Sequence, residues 1–367
     1  MSVLIRNIKE LAGIHSTDKK LLRGNELGNL PSIENAFLLT ENDLIKSFGK
    51  MEDLSKENIP ANAEVIDAAG KILLPAFCDS HTHLVFASTR EEEFADKIRG
   101  VSYEEIAAKG GGILNSAKKL SAASEEELLN CALARLEEVR LQGTGAIEIK
   151  SGYGLSVESE IKMLRVIRKL KEISPLKIKS TFLGAHAFPA EFKNNHEEYI
   201  RIIIEEMLPR IADEGLADYC DAFCEKGFFS PDETDRILQA GWKYGLKPKI
   251  HANQLAISGG VQVGVKNNAV SVDHLENIGE EEINVLKNSD TIATMLPSAA
   301  FFLRLPYPPV RKMIEENLAV ALATDFNPGS SPSGRMSFVI SLACIQMKMT
   351  PEEAINASTL NGAAAME

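Results

Sequence analysis

From residue 70 onward, short apolar runs alternate with amphipathic segments about eight times. The runs are Leu74–Asp79, Ala146–Lys150, Ile178–Gly184, Tyr219–Glu225, Pro248–His251, Val270–His274, Thr291–Leu296 and Val320–Asp325. Runs of this length between turn residues read as buried strands, and their alternation with helices builds βα units around a parallel sheet. Eight units are what a closed (β/α)8 barrel requires. The intervening segments carry helix punctuation. Ser124-Glu125-Glu126-Glu127 is a capping box with Gly143 past the helix end, and Ser230-Pro231-Asp232-Glu233 puts proline in the first turn behind a serine cap. Ile161, Leu164, Ile167 and Leu170 recur at helical spacing after Ser156, and Ser102-Tyr103-Glu104-Glu105 starts another helix that Gly110-Gly111-Gly112 ends. The triple glycine lacks the Lys-Ser/Thr of a phosphate loop, so it reads as an active-site loop.

A barrel collects its functional groups at the C-terminal ends of its strands. The first run leads into His81-Thr82-His83, the third into Gly184-Ala185-His186, and the fifth ends at His251. The sixth ends at Asp273-His274 and the eighth at Thr324-Asp325, so five of the seven histidines fall at strand ends. His15 and His196 lie in polar segments and read as solvated. Alternate residues of a strand share a face, so His81 and His83 aim two imidazoles at one spot. With His251 and Asp325 they make four protein ligands for a zinc or iron ion, leaving a position for water. Such an ion lowers the pKa of its water; Asp325 is placed to take the proton and His274 to bond the same water or a developing oxyanion. The fourth run ends Phe223-Cys224-Glu225-Lys226 with no internal lysine to bridge a second metal. One metal is therefore expected, and Glu225 keeps a binuclear site open.

A formal net charge of −12 argues against nucleic acid or an anionic membrane as partner. The N-terminal residues show no apolar secretory core, and no apolar run approaches a bilayer span. The five cysteines, Cys78, Cys131, Cys220, Cys224 and Cys344, are scattered and read as reduced thiols, consistent with a cytoplasmic enzyme. Residues 1–70 differ from the rest. Leu4–Ile8, Ala36–Thr40, Leu44–Ser47 and Glu64–Ile66 read as strands of a small β-sandwich-like appendage beside a barrel over 71–367. Those strands are too few to bury an apolar face comfortably, so the expectation is that residues following Glu367 complete the layer.

The order His-x-His, His, His, Asp on successive strands resembles the amidohydrolase superfamily. More specific segments, Glu148 through Leu155 (Glu-Ile-Lys-Ser-Gly-Tyr-Gly-Leu), Thr181 through His186, and Asp325 through Ser330 (Asp-Phe-Asn-Pro-Gly-Ser), resemble its imidazolonepropionase family. So do His81 through Phe86, Ser88 through Phe94, and Gly110 through Ile113; together these segments reach from residue 72 to about 366. The resemblance implies hydrolysis of the cyclic amide of 4-imidazolone-5-propanoate to N-formimidoyl-L-glutamate, the third step of histidine degradation. It implies one Zn2+ or Fe3+ per chain on His81, His83, His251 and Asp325, and a homodimer. It also implies substrate contacts from Arg90, Tyr103, Tyr153, His186, Gln254, Asn327, Gly329 and Ser330, with Tyr103 on a loop that closes over the ring. Chemistry agrees with these assignments: the Arg90 guanidinium suits the propionate, and His186 suits the ring carbonyl as a donor. The amides of Asn327 through Ser330 suit an anionic product. Gln254 stands where a carboxylate could shuttle a proton to the leaving nitrogen; as an amide it orients substrate, leaving the proton work to Asp325 and His274.

Two other readings remain. A mononuclear deaminase of a guanine- or cytosine-like ring uses the same metal set, although such a ring offers Arg90 no carboxylate. A silent binding protein on the same scaffold would have no reason to keep every ligand.

Overall fold

The computed structural model describes residues 2–101 and 111–367. The N-terminal strands are β1 (Ser2–Ala12), β2 (Ser32–Glu41), β3 (Leu44–Lys50), β4 (Glu64–Asp67) and β5 (Ile72–Leu73), in one sheet. They run in the order β3-β2-β1-β4, with the short β5, which sequence did not suggest, beside β1. One side packs Leu4, Phe37 and Leu39 against Met51, Leu54 and Ile59; Ile8, Leu11 and Ala36 form a second small cluster with Ala68. Along β3 and β4, Leu44, Ile45, Phe48, Val65 and Ile66 stay exposed.

All eight apolar runs become strands of a parallel sheet. These are β6 (Phe77–Thr82), β7 (Thr144–Lys150), β8 (Lys177–Ala185), β9 (Tyr219–Cys224), β10 with β11 (Lys247–Pro248, Ile250–Ala252), β12 (Ser271–His274), β13 (Ile292–Met295) and β14 (Val320–Leu322). They neighbour one another in chain order. The Asp325 amide donates to the His81 carbonyl at 3.0 Å and the His83 amide to the Phe326 carbonyl at 2.9 Å, so the segment after β14 closes the ring against β6.

Several run boundaries differ from expectation. The first strand begins at Phe77, not Leu74, because Pro75 can donate no ladder bond. The last ends at Leu322, and Asp325 turns out of it with a φ of 55°.

Helices surround the barrel, and their apolar faces fuse with the outward strand residues into one core that includes Leu136, Ile147, Ile167, Ile178, Ile237 and Val272. Ser124, Ser156, Ser230 and Thr350 each cap a helix through the side-chain oxygen. The C-terminal residues plug the bottom of the barrel. Asn361 donates to the carbonyls of Leu22 and Val320, the Lys249 ammonium to that of Ala365, and the Tyr219 hydroxyl to that of Met366. The helix expected at Ser102–Glu105, with Tyr103, lies outside the described residues. His15 and His196 stay partly exposed, as expected, and each also has a partner: His15 bonds Asn356 at 2.9 Å, and His196 stacks 3.6 Å from Phe188 while bonding Glu233.

Candidate active site

The β6–β14 junction brings the candidate ligands together. His81 Nε2 and His83 Nε2 lie 3.6 and 3.7 Å from Asp325 Oδ1, and His251 Nε2 lies 3.4 Å from His83 Nε2. His81, His83 and Asp325 could hold a metal ion together, as could His81, His251 and His274. His274 therefore reaches the same focus as the four residues expected there, its ring 5.3 Å from that of His251.

What stands behind the rings sets their lone pairs. His81 Nδ1 bonds Asp273 at 2.6 Å and His251 Nδ1 bonds Asp221 at 3.1 Å. A carboxylate there accepts, so the hydrogen sits on Nδ1 and Nε2 keeps its lone pair, the tautomer a metal requires. Burial, then the nearby Lys150 ammonium, pushes the His81 pKa well below the ordinary histidine value, which keeps the ring neutral. Yet His81 Nε2 is fully buried with no hydrogen-bond partner among the described residues. A buried orphan acceptor is costly unless an electrophile meets it, and neutral imidazoles with a carboxylate are the donor set for a zinc- or iron-like cation. The residues fit such an ion.

Left-handed backbone concentrates here. His274 has a φ of 86°, Leu275 66°, Asn253 58° and Asp325 55°. Such conformations cost about 1–3 kcal/mol each outside glycine and cluster where function holds them. His274 is backed by Glu276, 3.3 Å from its Nδ1. Burial lowers the His274 pKa, but Glu276 and Asp325 outweigh it and the net shift is upward. Burial raises the Asp325 carboxyl more than His274 and His251 lower it.

A small cavity of about 50 Å³ opens beside the cluster, lined by His83, Tyr153, His186, Gln254, Asn327 and Ser330 among others. The Arg90 guanidinium sits 5.7 Å from the Tyr153 ring, its Nε donating to Ser116. Its Nη2 is buried without a hydrogen-bond partner among the described residues. The missing side chain of Gly329 makes room for that guanidinium, since a Cβ there would collide with it.

Two details depart from expectation. His186 Nδ1 bonds the Gly152 carbonyl at 2.9 Å, which can only accept, so Nδ1 carries the hydrogen. Burial pulls the His186 pKa down to about 3, so Nε2 faces outward as an acceptor, not as the expected donor. Gly152 is required for this contact, because a Cβ at its φ of 103° would lie 2.9 Å from His186 Nδ1. The amides of Gly329 and Ser330, expected to face an anion, donate instead to Asn327 Oδ1, each at 2.8 Å. Asn327 and Ser330 then buttress Asp325, through bonds to its carbonyl at 2.6 Å and to Oδ2 at 3.1 Å.

Sequence reasoning missed the charges under the site. Glu148, Lys150, Asp221, Lys249 and Asp273 are almost completely buried inside the barrel. Lys150 lies 2.6 Å from Glu148 and 2.8 Å from Asp221, and Lys249 pairs with the other oxygen of Glu148. Burial alone would raise the Glu148 carboxyl, but Lys150 and Lys249 hold it below the usual carboxylate range. A signal existed: Lys249 stands two residues before His251, and Glu148 two before Lys150, inside otherwise apolar runs. Glu160 was missed as well. Its carboxylate accepts the amides of Gly152, Gly154 and Leu155 at 2.7–3.0 Å, fixing the loop that carries Tyr153.

Comparison with known proteins decides the family. The Amidohydrolase family profile matches residues 72–367. An imidazolonepropionase of Flavobacterium johnsoniae is 58% identical over 366 residues, covering 100% of this chain and 88% of that protein. The chain belongs to the imidazolonepropionase family of amidohydrolases. A more distant imidazolonepropionase, from Clostridium tetani, is 42% identical over 365 residues, covering 100% of this chain and 87% of its own length. Among solved structures, 5-methylcytosine deaminase from Klebsiella pneumoniae superposes with a TM-score of 0.72 at 14% identity, over 99% of this chain and 86% of its own. Guanine deaminase from C. acetobutylicum gives 0.66 at 16%, over 100% and 87%. These two share the amidohydrolase barrel with the imidazolonepropionases. No helix among the described residues is long and apolar enough to cross a membrane.

Proposed function

We propose that this chain hydrolyses 4-imidazolone-5-propanoate to N-formimidoyl-L-glutamate, opening the cyclic amide carbon–nitrogen bond in histidine degradation. The observation that carries the reading is the whole-length match, at 42–58% identity, to relatives named imidazolonepropionase. The same reading takes zinc or iron, one per chain, as the metal held by His81, His83, His251 and Asp325. It takes two chains as the assembled enzyme and the cytoplasm as its compartment. When bound, the ion would supply Lewis-acid chemistry and lower the pKa of a water. Asp325, its carboxyl raised by burial and braced by Asn327 and Ser330, accepts that water's proton. His274, charged more readily than an ordinary buried histidine because Glu276 stands behind it, stabilises the oxyanion and returns a proton to the leaving nitrogen. Arg90 grips the propionate beside Tyr153, and Gln254 orients the ring. His186 takes a ring N–H at its free Nε2. Tyr103 remains part of the reading as a residue that closes over the ring.

The test is turnover of 4-imidazolone-5-propanoate with metal content measured on the same sample. Activity should vanish with chelator and return with zinc or iron. Arg90→Ala should raise KM by roughly 10²-fold, the cost of losing a charge-assisted carboxylate clamp. A ring lacking the propionate should lose as much with the unaltered enzyme and nothing further with the variant. Deamination of guanine or cytosine in place of ring opening would reject the substrate.

A further inference from the structure

Beneath the candidate metal ligands, one ammonium stands between the two carboxylates that orient them. Lys150 Nζ lies 2.8 Å from Asp221 Oδ2 and 3.6 Å from Asp273 Oδ2. Asp221 holds His251 through Nδ1, and Asp273 holds His81 the same way. Glu148, 2.6 Å from Lys150, is itself held by Thr181 and Lys249, so the ammonium cannot drift. Ser271 occupies the other oxygen of Asp273 at 2.5 Å. We propose that Lys150 is a positioning residue for the metal site, tying the carboxylates behind His251 and His81 into one rigid unit that sets both Nε2 lone pairs.

Stability does not account for a lysine here. Interiors of (β/α)8 barrels are ordinarily filled by branched aliphatic residues, and a buried ion pair is seldom more stabilising than an apolar group of its size. What an aliphatic side chain could not supply is a positive charge between two carboxylates that would otherwise repel one another. Without it, repulsion between them would turn one carboxylate away from its imidazole. Partners of this kind behind a metal-bound histidine typically change metal affinity about 10–100-fold when altered.

The inference rests on the metal reading proposed above, and the experiment separates the two. The full chain is stripped with chelator, and the dissociation constants of Zn2+ and Co2+ are measured by competition with a chromophoric chelator. Wild type, K150M, D221N and K150M/D221N are compared, the double variant being charge-balanced so that a folded chain is available if K150M is not. Folded K150M should bind both ions about 10–100-fold more weakly. The double variant should be weakened by less than the product of the single effects, because Lys150 acts through Asp221. A purely structural lysine would lower the thermal midpoint and leave the affinity of the folded chain within about threefold of wild type, which would overturn the proposal. Multiplicative effects would overturn it as well. So would failure of K150M and the double variant alike to fold, which would make Lys150 a folding residue. A wild-type chain that binds neither ion would instead reject the metal reading, and this inference with it.

Discussion

The barrel interior and the N-terminal sheet invert the usual placement of side chains. Inside the barrel, Glu148, Lys150, Asp221, Lys249 and Asp273 are charged and at most 1% exposed. On β3 and β4, Leu44 is 72% exposed, Ile45 64% and Val65 51%. The difference teaches that residue type alone sets neither burial nor its energetic weight. The buried charges all touch one another or the histidines of the candidate site, so each is compensated where it stands. The exposed apolar residues of β3 and β4 lie at positions that nothing in the described residues covers, and little depends on them individually. A substitution should therefore cost much in the first region and little in the second, whatever its hydropathy.

The sharpest test is Glu148→Gln. It leaves Lys249 without its carboxylate partner and Lys150 short of one, and should destabilise the chain by about 3–5 kcal/mol in urea unfolding. Adding Lys249→Met should recover a substantial part, because the pair is removed together; a single substitution costing under about 1 kcal/mol would break the comparison. A half-buried ion pair should fall between the extremes. Asp218 accepts from Lys171 at 2.7 Å and from the Ser180 amide at 2.8 Å. Burial pulls its carboxyl upward, but Lys171 and Ser180 outweigh that and hold it below the usual range. A lowered folded pKa means stability that is present above the unfolded value, near pH 4, and lost as pH falls through the folded one. Asp218→Asn should thus cost about 1 kcal/mol at pH 7 by thermal unfolding, with the gap closing below about pH 4. The smallest effect belongs to the sheet. Leu44→Thr should change stability by less than about 0.5 kcal/mol; a larger loss would show that this position is packed in solution.

Much of the architecture was legible along the chain because the barrel repeats one local pattern. Each of the eight apolar runs became a strand, and the serine caps at 124, 156 and 230 fell where side-chain oxygen chemistry puts them. The histidines were legible for the same reason: strand alternation and the C-terminal-end rule locate them without knowledge of contacts. Strand edges were less so. Pro75 and the turn at Asp325 moved two of them, and the barrel closes through the second. The orientation of His186 was not legible at all, since the Gly152 carbonyl that fixes its tautomer comes from a different strand–helix loop.

By itself, then, the sequence determined the barrel, the strands that end in histidine and aspartate, and the family to which those segments belong, because periodicity and motif are local properties. Only the tertiary structure decided which groups stand behind the ligands. Lys150 meets Asp221 across 71 positions of chain, and His81 meets Asp273 across 192. Nothing local in either segment specifies such a meeting; closure of the barrel does, by bringing inward-facing positions of separate strands to one axis.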